Sequence, residues 1–169
     1  MMEAGPDVVI MDLDEETYLS TAKEESGPLL CGTDCRGLNL SGINLAGANL
    51  CGARLKGAML AGANLENADL SGADLEFAVL GGANLTGAKF CGANLKRANL
   101  VGVMAPGADF SGADLYYSRP GNGNFELAVF CNAVVERAIF RRANLRGADF
   151  TGAKGDANFE NALLEGVQR

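Results

Sequence analysis

The stretch Ala63–Leu75, ANLENADLSGADL, repeats a unit of Ala, then Asn or Asp, then Leu, then two small or polar residues. Neither the helical period of about 3.6 nor the strand period of about 2 produces this spacing. The A-x-L interval places Ala and Leu on one side of a short extended segment and turns the Asn or Asp away from it. The two residues that follow suit a corner, because Gly and Asn adopt turn conformations at little cost. One unit is therefore one side plus one corner, and four units close a square coil of about twenty residues.

The pattern extends well beyond this stretch. From Leu40 to Phe150 every fifth residue gives 23 sites, of which 14 are Leu and six are Phe, so one bulky apolar series runs the length of the chain. Two residues earlier, Ala fills 18 of 23 sites, which lets opposing walls approach. Residues twenty apart share a character, as stacked coils require. Leu50, Leu70, Phe90, Phe110, Phe130 and Phe150 form one interior column. Asn44, Asn64, Asn84, Asn124 and Asn144 form another, broken by Met104, and predict a side-chain amide ladder. Cys31, Cys51, Cys91 and Cys131 share a third column with Ser71, Ser111 and Thr151, and read as reduced thiols in place of Ser. The fold class expected is an all-β solenoid: a quadrilateral parallel β-helix of about 6–7 coils stacked ~4.8 Å apart, each coil burying its inner face on its neighbours.

The run Leu38–Phe150 resembles the pentapeptide-repeat family, whose motif is A(D/N)LXX. That resemblance implies a right-handed quadrilateral β-helix. More narrowly, LLCGTDCRGLNLSGINLAGANL (Leu29–Leu50) resembles the entry into the repeats of BTB adaptors of the potassium-channel tetramerisation-domain class. In those proteins the repeats follow a domain that recruits a cullin-3 ubiquitin ligase. The segment preceding the repeats here contains no recognisable BTB domain.

The rhythm falters at three places. In VGVMAPGADF, Val103 and Ala105 take inward sites and Pro106 a corner. In YYSRPGNGNF, Ser118 and Pro120 stand where Ala and Leu are expected; proline donates nothing to a ladder, so a bulge or loop is expected over 119–123. KGDANF is one residue short, which predicts a distorted last coil or an end to the repeats.

Residues 1–30 form an acidic leader. They carry eight carboxylates against Lys23, whereas residues 31–169, the repeat domain, balance 13 basic and 13 acidic side chains. DLDEETYLSTAKEESG has the caps of a short helix and VVIMDL the composition of a strand, so the leader is expected to cap the first coil. The neutral body argues against binding or imitating nucleic acid. No apolar run approaches a membrane span, and the acidic start carries no signal or transit pattern. Cytoplasmic or nuclear residence is expected.

The sequence has no His, which excludes Ser-His-Asp and Cys-His catalysis and removes the commonest metal ligand. Cys31-x-x-x-Cys35 is one pair without a second, weak for zinc. Asp69, Asp74, Asp109, Asp114 and Asp149 occupy the motif's outward polar site, where Asn is equally common, and read as a solvated face. Arg54 with Asp74, and Lys56 with Glu76 and Lys96, are expected to pair up the rod. No enzyme activity, metal, cofactor or small-molecule substrate is expected.

One corner departs from this bland surface. Phe77, Arg97, Tyr117 and Arg137 form one column, beside Glu76, Lys96, Tyr116 and Glu136. Exposed aromatics with Arg mark interaction hot spots, and cation–π stacking can order them. Phe77, Arg97, Tyr116, Tyr117 and Arg137 are therefore the candidate interaction patch. Arg137 with Arg141, Arg142 and Arg146 forms a weaker basic group suited to phosphate or an acidic partner. The function expected is a non-enzymatic scaffold offering a rigid face to a protein partner, as a monomer or end-to-end dimer; the adaptor resemblance implies a substrate-recognition arm of a larger, ubiquitin-ligase-type assembly. The alternative is a DNA-mimicking topoisomerase-binding protein of the quinolone-resistance type.

Overall fold

In a computed structural model the described residues are 29–169. The helix, strand and cap expected within the leader lie outside them. Apart from the shortened unit after Lys154, the units close on a turn in which the N–H at the Ala position donates to the carbonyl at the Leu position three residues back, as from Ala63 to Leu60 at 3.0 Å. The second corner residue is left-handed in each such turn, which is why Gly fills it at Gly32, Gly42, Gly52 and Gly62, with φ between 64° and 69°. Two corner residues out of five leave three for the side, too few for an extended strand. The coils are therefore joined by single bridged residues rather than by continuous strands.

These bridges are parallel and pair outward residues twenty places apart, from Leu29↔Asn49 to Val134↔Lys154, with the Arg119–Ile139 rung missing beside Pro120. A typical rung has Leu60 N–H donating to the Val79 carbonyl at 2.7 Å and Val79 N–H donating to the Ala58 carbonyl at 2.9 Å. Four such ladders make the four faces of a quadrilateral β-helix. The interior column stacks as the periodicity demands: ring centroids are 4.9 Å apart for Phe90–Phe110 and Phe110–Phe130, and 4.6 Å for Phe130–Phe150. Leu50, Leu70 and the Ala series are buried with them.

The bulge expected at 119–123 does not form. Asn99 still bridges Arg119 and Met104 still bridges Asn124, so the twenty-residue register is kept through the segment. Pro120 removes one bond, because it has no N–H to offer the Ile139 carbonyl; Ile139 N–H still reaches Ser118 O at 3.0 Å. Compensation comes from inside the coil. A Cβ at Gly123 would lie 2.5 Å from the Phe125 ring, so that ring occupies the space an inward Ala would take. Ser118 is buried with its hydroxyl unpaired. Pro106 and Val103 are accommodated without change of register, and Val103 and Ala105 are fully buried.

The short unit KGDANF shifts the pairing from twenty to nineteen: Ile139↔Asn158, Asn144↔Leu163 and Asp149↔Gln168. The ladder continues beyond the deletion, with one corner shortened. Gly155 makes this possible. Its φ is 94°, and a Cβ there would meet the Glu136 Cα at 2.7 Å.

Candidate interaction surface

The outward Asn and Asp residues do more than face solvent. Their side-chain oxygens accept the backbone N–H two residues on, bracing the corner: Asp69 from Ser71 at 2.9 Å, Asp109 from Ser111 at 2.9 Å, Asn64 from Glu66 at 3.2 Å. Hydrogen bonds from Ser71, side chain and then backbone, hold the Asp69 carboxyl below its usual range. The expected amide ladder is present, with Asn64 Nδ2 donating to Asn44 at 3.0 Å, Asn84 to Asn64 at 3.2 Å and Asn144 to Asn124 at 3.0 Å. Burial, and then Asp109, push the Cys91 thiol up and hold it neutral, a poor nucleophile. All five cysteines are free thiols.

Two expected charge ladders are rearranged. Arg54 bridges Asp74 through the backbone, but its guanidinium pairs with Asp34 at 2.9 Å, while Asp74 accepts from Asn94 at 2.8 Å. Lys56 does pair with Glu76, at 2.6 Å, but Lys96 turns to Asp114 at 3.1 Å. The Lys96 pair is diagonal, whereas Arg54 stays within its column and turns to the preceding coil. The weaker basic group is largely compensated by the last coil: Arg141 pairs with Glu160 at 3.4 Å and Arg146 with Glu165 at 2.8 Å. Arg142 is exposed.

The corner between the Asp34–Val134 face and the Asn39–Ile139 face differs from the other three. Gly37 and Gly57 begin its left-handed column; Phe77, Arg97, Tyr117 and Arg137 continue it, with φ of 59°, 55°, 55° and 58°. A residue with a Cβ is strained there, by about 1–2 kcal/mol. Elsewhere four of the six substitutes for Gly are Asn, which tolerates this conformation (Asn67, Asn122, Asn132 and Asn161), and the other two, Leu127 and Arg142, stand singly at different corners. At this corner four successive coils carry large side chains instead.

Those side chains form one stack. The Arg97 guanidinium lies 5.5 Å from the Phe77 ring centre and 5.9 Å from that of Tyr117, and Arg137 lies 5.2 Å from Tyr117 on the far side. Lys56 closes the top, 5.8 Å from Phe77. Arg137 donates to the Tyr117 hydroxyl, and Tyr116 packs edge-on against Tyr117 at 4.8 Å. All five patch residues are thus brought together. Phe77 and Tyr117 remain 44% and 39% exposed, so the stack covers itself only in part.

The adjoining face adds residues that the sequence analysis did not select. Its outward series is Asn39, Met59, Val79, Asn99, Arg119 and Ile139, which contains no carboxylate. Met59 and Ile139 are about two-fifths exposed, at 41% and 39%. The signal was available as three apolar residues at the position where the motif calls for Asn or Asp.

The pentapeptide-repeat pattern matches this chain in eight copies, over residues 33–72, 68–104, 93–119 and 124–154. The interval between the last two spans Pro120–Gly123, and the match ends at Lys154, where the register shifts. No curated protein matches the chain. Among solved structures, full-length QnrB1, a plasmid-mediated fluoroquinolone resistance protein, superposes with a TM-score of 0.55 at 18% identity, covering 85% of this chain and 84% of that one. A pentapeptide repeat protein from Nostoc is 36% identical over 59% of this chain and 75% of its own, with a TM-score of 0.36. A pentapeptide repeat protein of the Arabidopsis thaliana thylakoid lumen is 30% identical over 71% of this chain and 70% of its own, with a TM-score of 0.34.

Proposed function

We propose, from the premise that this chain belongs to the pentapeptide-repeat family, that it is a non-enzymatic scaffold whose rigid β-helix presents the Phe77–Arg137 corner to a protein partner. Residues 31–169 are the scaffold and residues 1–30 its acidic leader. The observation that carries this reading is the strain at the corner. Phe77, Arg97, Tyr117 and Arg137 hold left-handed backbone in four successive coils where glycine would be relaxed. Strain of this kind persists where the side chain is needed. Exposed aromatics stacked with Arg are also the side chains that carry binding energy at interfaces. The wider role implied by the adaptor resemblance, a recognition arm within a ubiquitin-ligase-type assembly, is the finer form of this proposal.

The alternative, a DNA-mimicking topoisomerase-binding protein of the quinolone-resistance type, requires a strongly negative rod. The balanced charge of residues 31–169 opposes it. The likeness to QnrB1, at 18% identity, carries the fold alone.

The test is affinity capture from host lysate with the wild-type chain beside a variant bearing Phe77→Gly, Arg97→Gly, Tyr117→Gly and Arg137→Gly. Glycine suits all four backbones, so the fold is retained. Loss of specific partners with the variant supports the corner as the binding surface. Retention of every partner refutes it.

A further inference from the structure

The chemistry of the partner can be taken further by asking which charges of this surface are already satisfied; the argument rests on the corner being the binding surface. Glu76 is paired with Lys56, Asp114 with Lys96, and Glu136 with Arg137 at 3.6 Å. Each of these three carboxylates is thus paired with a cation, and Asp74, on the same ladder as Asp114, is held instead by Asn94 at 2.8 Å and the Glu76 N–H at 3.2 Å. Arg97 and Arg119 have no salt-bridge partner among the described residues. Two guanidinium groups without an ion pair are therefore offered here, Arg97 against the Tyr117 ring on the corner and Arg119 on the adjoining face.

Arg97 is unlike an ordinary surface arginine. It is held between two aromatic rings, at 5.5 Å and 5.9 Å, which fixes the side chain before any partner arrives. A guanidinium with both faces covered has its N–H edge left to bond with, and that edge matches a carboxylate in two parallel hydrogen bonds. Less side-chain entropy is then lost on binding. Above the two arginines, Met59, Phe77 and Val79 form an apolar patch, with Met59 and Val79 bridged to each other across adjacent coils.

We infer that this surface binds an acidic protein segment, whose carboxylates meet Arg97 and Arg119 while its large apolar side chains lie over Met59, Phe77 and Val79. From the coil of Met59 to that of Arg119 is three coil spacings, about 15 Å. Four or five extended residues at ~3.3 Å each, or about ten helical residues at ~1.5 Å each, span that distance. A nucleic-acid backbone fits less well. It is bound by many cations at once, and here two free arginines border an apolar patch on a rod of balanced charge.

A phage-displayed random dodecapeptide library panned on the full chain tests this without presupposing a sequence. The enriched peptides are expected to carry Asp or Glu beside Leu, Ile or Phe. A synthetic peptide of the consensus, measured by fluorescence anisotropy, is expected to bind the Arg97→Gln, Arg119→Gln double variant about tenfold more weakly and to weaken with added salt. Unchanged circular dichroism and melting of the double variant show that the fold is intact. A neutral or basic consensus overturns the inference, as does failure to enrich, or binding within twofold between wild type and variant. Tighter binding of a labelled single-stranded oligonucleotide at physiological salt overturns it in favour of nucleic acid. A lysate partner lost with the four-glycine variant but kept by the double variant would leave the scaffold standing and remove acidic recognition.

Discussion

Replacing Phe77 by Gly and, separately, by Ala isolates the cost of the corner. Both substitutions remove the ring and its contacts with Arg97 and Lys56, so those contacts cancel in the comparison. What remains is the backbone, with φ at 59°. A Cβ in this region costs about 1–2 kcal/mol. Glycine's extra freedom in the unfolded chain offsets about 0.4–1 kcal/mol of that. Phe77→Gly should therefore be more stable than Phe77→Ala by roughly 0.5–1 kcal/mol. At the neighbouring corner residue Glu76, which is not left-handed, the order reverses and Ala should exceed Gly by about 0.4–1 kcal/mol. Urea denaturation followed by far-ultraviolet circular dichroism reads the difference, with equal m-values as the check that all variants unfold alike. Hydrogen exchange at the Ala78 amide, which donates to Leu75 across the same turn at 2.9 Å, gives an independent local measure. If Ala matched or exceeded Gly at position 77, the corner would not be strained, and the inference from strain to function would fall.

Three other outcomes follow from the packing and hydrogen bonds. Ser118→Ala should stabilise the chain by about 1–2 kcal/mol, since it removes a buried, unpaired hydroxyl and restores the residue that the motif favours; an unchanged or lower urea midpoint would count against this. Gly155→Ala should cost about 2 kcal/mol or more, because its Cβ would lie 2.7 Å from the Glu136 Cα at a φ of 94°; in a solenoid the loss of amide protection should concentrate after Lys154, and uniform loss would contradict it. Hydrogen bonds from Ser71 hold Asp69 below its ordinary 3.8, and bonds from Thr151 do the same for Asp149. Carboxylates depressed in the folded state stabilise it above the unfolded value and lose that contribution as pH falls through the folded value. The melting midpoint should therefore be level from pH 7 to about 5 and fall below about 4. Asp69→Asn, which keeps the acceptor, should make the acid limb shallower, and an unaltered limb would exclude Asp69 as a contributor.

The repeat was legible because one constraint, stacking at a fixed period, acts on every coil. It set the Phe90–Phe150 column, the amide ladder from Asn44 and the buried Ala series alike. Local compensation was less visible. Pro120 loses its ladder bond as anticipated, yet no bulge forms, because Phe125 fills the space beside Gly123 and the bridges on either side hold the register. Ion pairs were the least legible. Arg54 keeps to its column but pairs with Asp34 on the coil before it rather than Asp74 on the coil after, and Lys96 leaves its column for Asp114. The corner is legible as a column of aromatics and arginines, which does not itself reveal the backbone state. It could have been read from Gly37 and Gly57 above them, since a position that takes glycine coil after coil is one that demands positive φ.

The boundaries of that column bear on why it exists. Above Phe77 the same position is glycine, in Gly57 and Gly37. Below Arg137 the deletion at Gly155 shortens the corner, and no further left-handed residue continues the column in the twenty-residue register. The strained residues are thus consecutive, one per coil, in coils whose interior side chains Leu75, Leu95, Leu115 and Val135 are all buried. In a solenoid each coil draws its stability from its immediate neighbours, so the middle of the rod, packed on both sides, is where an added local cost is best borne. Other bulky left-handed residues, Leu127 and Arg142, occur singly, each at a different corner. Four in succession at one corner, stacked into a single aromatic and guanidinium ridge, support the proposal that this corner is a binding surface. The adjoining face, with no carboxylate among Asn39, Met59, Val79, Asn99, Arg119 and Ile139, extends that surface beyond the corner itself.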